Sequence, residues 1–335
     1  MDFSFPEYFS IDYGSLKKTV NSKFQSIDVN KPIENIVTIN NIDYYFIPLS
    51  ENGNKGGNSI ILKLYESQEF DIEDLNYDVP DRVLKISKHP LKVIPNKSNQ
   101  RFQREIEALN QCSENGHQNI ITTYENGICK IYDVRKSKYF QYQFYTMEFA
   151  EYDLKSYVEK HHKILGIEEK LELCISLSEG LKELNQLGYY HRDLKPDNIF
   201  ITEKNRWKIG DLGLLENRQM ESIDSVAEFI GPRGWMTPEA MNKHLCENKG
   251  FVYNHSCTID HQSDIFQLGK IFWYIFQHNA PIGTVKESDF LIKNGTLFSI
   301  IKTMLNHSKK KRYKNIDEVI LLLKPLEKKL LKHTA

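Results

Sequence analysis

The chain is poor in everything that would mark a secreted, membrane-spanning or repetitive protein. Its five cysteines among 335 residues, Cys112, Cys129, Cys174, Cys246 and Cys257, are odd in number and show no disulfide-like spacing, so they predict a reducing compartment. Long apolar runs are missing too. The strongest, Ile265 to Phe276, is broken by Gln267 and Lys270 and falls short of the roughly 20 residues a spanning helix needs. Met1 to Ser10 has no basic region followed by an apolar run, which predicts no signal peptide. Charge of one sign is also lacking: 44 basic residues face 45 acidic ones, for a net charge of −1. Bulk attraction to nucleic acid or to a membrane surface is therefore not expected. No internal repeat or low-complexity block occurs. These absences together predict a soluble, cytoplasmic protein.

What remains is a hydrophobic content of 40%, ample for a core, in a length that suits one large domain or two small ones. Ile42 to Leu49 and Ser59 to Tyr65 are rich in β-formers and predict two strands. Between them Ser50 to Asn58 reads as a turn carrying Gly53, Gly56 and Gly57. Glu66 to Pro80 is polar and acidic, as expected of a solvated loop. Phe102, Ile106 and Leu109 share one helical face, with Glu105 on the same helix; Gln141 to Ala150 predicts a strand. Helical stripes follow: Leu171, Cys174, Ile175, Leu181 and Leu184; then Ile265, Leu268, Phe272, Ile275 and Phe276; then Leu297 to Met304 and Ile316 to Leu323. Residues 1 to 40 carry Phe3, Phe5, Tyr8, Phe9 and Tyr13. They predict an ordered extension docked through aromatic rings, with a frayed tail as the alternative.

One segment constrains the chemistry more than any other: His191-Arg192-Asp193-Leu194-Lys195-Pro196-Asp197-Asn198-Ile199-Phe200. Asp211-Leu212-Gly213 and Thr237-Pro238-Glu239 follow it, and Asp264 and Arg312 lie beyond. Upstream are Arg82-Val83-Leu84-Lys85-Ile86 and Arg104-Glu105-Ile106. This ordered series, over about residues 41 to 330, resembles the eukaryotic-type protein kinases, serine/threonine kinases above all. The resemblance implies an α+β, bilobal fold: a β-rich N-lobe with one key helix over 41–149, a mainly helical C-lobe over 150–335, and the extension over 1–40.

It also implies roles. Asp193 would accept or orient the proton of a substrate hydroxyl, and Lys195 would reach the γ-phosphate of ATP. Lys85, locked by Glu105, would hold the α- and β-phosphates. Asn198 and Asp211 would hold Mg2+, with Mn2+ as an alternative ion. Gly53, Gly56, Gly57, Ile60, Val83, Met147, Glu148 and Ala150 would surround the nucleotide, Met147 as gatekeeper and 148–150 as the hinge. Glu239 and Arg312 would form a buried structural pair, and His191 would be a core residue. Arg192 would grip a phosphate on the segment 211–239, where Ser222 and Ser225 are the candidates for autophosphorylation; Asp224 or Glu228 could hold it instead.

Three departures stand beside the match. Leu212 replaces the family's phenylalanine, the glycine turn is irregular, and Pro232 replaces a threonine that in serine/threonine kinases contacts the aspartate and lysine. The expected partners are ATP and a protein substrate. A nucleotide-binding pseudokinase scaffold and a small-molecule phosphotransferase are the alternative readings. His244-x-Cys246 and His255-x-Cys257 have the look of a metal quartet, but not the spacing of a zinc knuckle. They are read as ordinary loop residues.

Overall fold

The computed structural model describes residues 3–12, 14–21, 23–27, 35–49, 58–67, 79–161, 165–202, 206–247 and 256–334. Two compact units emerge, Met1–Asn110 with Thr122–Phe149, and Gln111–Ile121 with Ala150–Ala335.

Among the described residues the first unit has ten strands: β1 (Phe3–Ser4), β2 (Phe9–Asp12), β3 (Ser15–Val20), β4 (Lys23–Ser26), β5 (Ile36–Ile39), β6 (Ile42–Pro48), β7 (Ser59–Glu66), β8 (Arg82–Ser87), β9 (Thr123–Asp133) and β10 (Lys138–Met147). They form one sheet in the order β1-β5-β6-β7-β8-β10-β9-β2-β3-β4. The helix α1 (Lys97–Glu114) starts in this unit. Residues 1 to 40 thus contribute strands to both edges of the sheet rather than a separate appendage.

Side chains alternate faces along a strand, and here each face has its own task. One face carries Phe46, Ile60, Leu62, Leu64, Leu84, Ile86, Tyr142 and Phe144, all buried against Phe9, Ile11, Leu16, Val37 and Ile39 of the extension. Aromatic rings do much of the filling: Phe9 lies 5.0 Å from Phe46 and Phe3 4.3 Å from Phe144, centroid to centroid. The extension therefore supplies Phe9, Ile11, Leu16, Ile27, Val37 and Ile39 to this core.

The second unit contains β11 (Ala150–Asp153), α2 (Leu154–His161), α3 (Ile167–Gln186), β12 (Tyr189–Tyr190), β13 (Ile199–Thr202), β14 (Trp207–Ile209), β15 (Glu216–Asn217), α4 (Pro238–Cys246), α5 (His261–Gln277), α6 (Gly295–Met304) and α7 (Ile316–Thr334). The segment 111–121 belongs to it because Ile121 N–H donates to Ile209 O at 2.9 Å and the Asn119 amide donates to Glu183 at 2.9 Å. At the centre α5 is capped by Asp260, whose carboxylate accepts from Gln262 N–H. A Cβ on Gly269 would stand 2.7 Å from that of Met304, so glycine permits the close crossing of α5 and α6. Among the described residues no helix is long and apolar enough to cross a membrane.

Candidate active site

Each unit carries its own part of the expected set. In the first, the antiparallel register places Lys85 opposite Tyr145 and Ile61, and Val83 opposite Met147 and Lys63. Directly paired side chains share a face, so Val83, Lys85, Met147 and Ile61 lie on the face opposite the aromatic core. Lys85 Nζ meets Glu105 Oε1 at 2.9 Å, with both side chains almost fully buried. Tyr145 O–H donates to the same oxygen at 3.1 Å. Its place two residues before Met147, hence on the same face, is the signal that sequence reasoning passed over. Glu107 is turned elsewhere and accepts from Gln103.

Ile60 must be reassigned. It pairs with Ile86 and is buried in the aromatic core, on the side away from Lys85. A one-residue shift in a strand exchanges faces, and Ile61 is the residue of β7 on the lysine's side. Glu148 N–H already donates to Thr122 O at 3.0 Å, so what its backbone can offer a base is the carbonyl acceptor. Ala150 opens β11 in the second unit. Gly53, Gly56 and Gly57 lie outside the described residues.

In the second unit the segment from His191 to Phe200 is anchored by α5. Asp264, fully buried on α5, accepts from His191 N–H and Arg192 N–H, both at 2.8 Å. Burial pushes its carboxyl up to about 7, against the pull of those two donors. His191 is equally buried, which pushes its imidazole down to about 4. The neutral ring follows from its partners: Nδ1 accepts from Asp193 N–H at 3.2 Å, and Nε2 faces Gly210 O at 3.2 Å. The proton therefore belongs on Nε2. His191 thus ties the turn before Asp211 to the backbone of Asp193.

The Asp193 carboxylate has two neighbours. Its Oδ2 accepts from Lys195 Nζ and from Asn198 Nδ2, each at 2.9 Å, while Asn198 also reaches Asp193 O. Burial raises the Asp193 carboxyl above its ordinary value, and Lys195 and then Asn198 draw it partly back. With its nitrogen spent on Asp193, Asn198 has its amide oxygen left for a ligand, which suits a hard cation. Asp211 holds a left-handed φ of +52°. Gly210 before it has no alternative side chain, since a Cβ would meet the Phe200 ring at 2.7 Å. Leu212 is completely buried.

Arg192, also left-handed at φ +65°, is saturated by the segment after Asp211. Its guanidinium meets Asp224 through Nη1 at 2.6 Å and Nη2 at 3.2 Å, Glu216 at 3.2 Å and Leu214 O at 2.7 Å. Of the two acids offered by the sequence, Asp224 is the partner; Glu228 instead accepts from Ser225 N–H. Ser222 Oγ donates to Glu216 at 3.3 Å. Glu239 and Arg312 form a buried two-pronged pair at 2.7 and 2.9 Å. Among the described residues no His, Cys, Asp and Glu side chains group as a metal site; His244 faces Ala227 O, and His255 lies outside them.

Comparison with known proteins places the chain in a family. Residues 83–333 match the family profile described as "Protein kinase domain". The chain is 34% identical over 103 residues to a probable serine/threonine-protein kinase of Dictyostelium discoideum, covering 31% of this chain and 12% of that protein. It is 28% identical over 150 residues to cyclin-dependent kinase F-4 of Oryza sativa subsp. japonica, 45% of this chain and 29% of the relative. It is 26% identical over 176 residues to the tyrosine-protein kinase Btk of Drosophila melanogaster, 52% of this chain and 20% of the relative. The matches thus span less than a third of each relative's length.

Proposed function

Because the chain belongs to the protein kinase domain family, we propose that it is an active enzyme that transfers the γ-phosphate of ATP to serine or threonine hydroxyls of proteins. The observation that carries this reading is the Asp193 carboxylate, held on one oxygen by Lys195 and Asn198 and left with Oδ1 lacking a donor among the described residues. That oxygen is the one to take the proton of a substrate hydroxyl. Phosphoryl transfer asks mainly for alignment and charge neutralisation. Lys195 neutralises the transferred group, and Lys85, oriented by Glu105 and Tyr145, holds the α- and β-phosphates. Val83, Ile61 and Met147 flank the base, and the carbonyl of Glu148 and the backbone of Ala150 bond to it.

The family implies ATP and Mg2+. The oxygen donors of Asn198 and Asp211 fit the ion and would hold it, and when bound it would supply positive charge against the phosphate groups. Serine/threonine preference is supported by Lys195, placed two residues after Asp193. Relatives of both serine/threonine and tyrosine type fall among the matches, so acceptor choice is the part that experiment decides. Autophosphorylation of Ser222 or Ser225 belongs to the proposal with an added requirement. A phosphate can reach Arg192 only by displacing Asp224, and on Ser222 it would face Glu216.

The test is transfer of labelled γ-phosphate with Mg2+, wild type beside Asp193→Asn, with mapping of the sites. The expected outcome is labelled serine or threonine, falling by at least about 10²-fold in Asp193→Asn, the scale of a positioned base. Label on tyrosine would overturn the specificity. ATP binding without transfer would favour a nucleotide-binding scaffold.

A further inference from the structure

A glutamine stands in the middle of the buried stretch Ser263–Gly269 of α5, with 1% of its surface exposed. An unpaired amide there would be costly, so its partners are informative. Gln267 Oε1 accepts from Leu194 N–H at 3.2 Å, and Nε2 donates to Arg192 O at 3.2 Å and Trp235 O at 3.4 Å. One N–H donor and two carbonyls fix which way the amide points, because the flipped amide would oppose oxygen to oxygen. Arg192 and Leu194 flank Asp193; Trp235 belongs to the loop 231–236.

The loop runs close to this amide. Gly231 has φ +99°, and a Cβ there would stand 3.2 Å from Arg192 O and 3.6 Å from Gln267 Nε2. One turn along α5, Lys270 Nζ donates to Gly234 O at 2.7 Å. A further turn on, the Tyr274 ring meets Trp235 edge to face at 5.9 Å. Positions 267, 270 and 274 share a helix face. Two consecutive residues of the loop are thus held by one face of α5, and Gln267 holds the catalytic segment as well. Pro232, next to Gly231, lacks the hydroxyl that serine/threonine kinases place there.

We propose that Gln267 is a positioning residue: its carboxamide fixes the loop 231–236 to the backbone on both sides of Asp193, taking over the tether that a hydroxyl at 232 would supply. The loop's substrate-facing role rests on the kinase reading above; the tether rests on the hydrogen bonds alone. Two variants separate the bonds. Gln267→Met removes all three, and Gln267→Glu keeps the acceptor for Leu194 N–H while losing both donors. With dephosphorylated casein as acceptor, both are expected to lower kcat/KM about tenfold, the scale of one or two lost bonds. The loss should come through KM for casein, with KM for ATP unchanged. Amide hydrogen exchange at Leu194 should quicken about tenfold in Gln267→Met and stay slow in Gln267→Glu. Adding Pro232→Thr to Gln267→Met should restore most of the loss.

Unchanged casein KM and unchanged exchange, with only the melting temperature lowered, would make Gln267 merely structural and overturn the proposal. Absence of rescue by Pro232→Thr would overturn the hydroxyl substitution. If Gln267→Met does not fold, Lys270→Met tests the loop tether alone. A rise of about threefold in casein KM supports the proposal, and no change counts against it. If the wild type transfers no phosphate, the kinase reading fails, and exchange at Leu194 and at 231–236 still decides the tether.

Discussion

The ten-stranded sheet has one apolar, aromatic face and one face organised around a buried charge, and the same strands build both. On β8, Leu84 and Ile86 enter a core closed by Phe9, Ile11 and Val37, whereas Lys85, between them, meets Glu105 and Tyr145. The first face gains from area removed from water, about 25 cal/mol per Å², and tolerates exchange of similar volumes. The second gains little net stability from its ion pair, since desolvation offsets attraction. Its value lies in holding one ammonium in one place. Stability and chemistry are therefore divided by the strand's period of two.

The sharpest break of this comparison pairs Lys85→Met with Phe9→Ala. Lys85→Met is expected to lower kcat/KM by about 10²–10³-fold, as for other removed charge stabilisers, in a protein still folded at 25 °C. Phe9→Ala is expected to cost about 3–5 kcal/mol of unfolding free energy, read by urea denaturation, with KM for ATP unchanged. If Phe9→Ala instead raised KM for ATP without lowering stability, the division between the faces would be wrong.

A finer test uses neighbours on one strand. Ile60→Ala should cost about 2–5 kcal/mol, as a truncation in a closed core, and leave the KM for ATP alone. Ile61→Ala should raise that KM a few-fold, about 1 kcal/mol of lost contact, with little change in melting. The reverse pattern would put the nucleotide on the aromatic face.

Legibility in the sequence followed the same division. The residues proposed to do chemistry sit in short segments, such as His191 to Asn198, where spacing alone dictates which groups can converge. The strands at 42 and 59, the helix bearing Glu105 and the buried helix at Asp264 follow from period and composition. The edge strands β1 to β5 did not: their aromatic residues announce burial, but strand pairing is set by partners distant in sequence, as in β2 alongside β9. Ile60 was misplaced for a related reason. In β7 apolar residues run through Ile60, Ile61 and Leu62, so hydrophobicity does not reveal the face, and only the register with β8 does. Asp224 was offered beside Glu228, and loop geometry chose between them. Gln267 carried a signal, an amide in an apolar helix stripe, whose partners no spacing rule supplies.

The smallest effect expected is a shift in pH dependence, and it compares the Asp193 carboxylate with its own neighbour. As the proposed base, Asp193 would work only when deprotonated, so kcat/KM should fall as the pH drops through its pKa. Burial raises that pKa above the ordinary aspartate value and Lys195 opposes the rise, so the acid limb should lie above that ordinary value. Removing the cation in Lys195→Met removes the opposing pull, so the limb should move to still higher pH as the overall rate falls. Measuring kcat/KM for casein against pH in both proteins separates the two effects, because loss of a phosphate contact lowers the whole curve without moving it. A limb that stayed in place would mean that the Lys195 ammonium acts on the transferred phosphate and not on Asp193, despite the 2.9 Å between them.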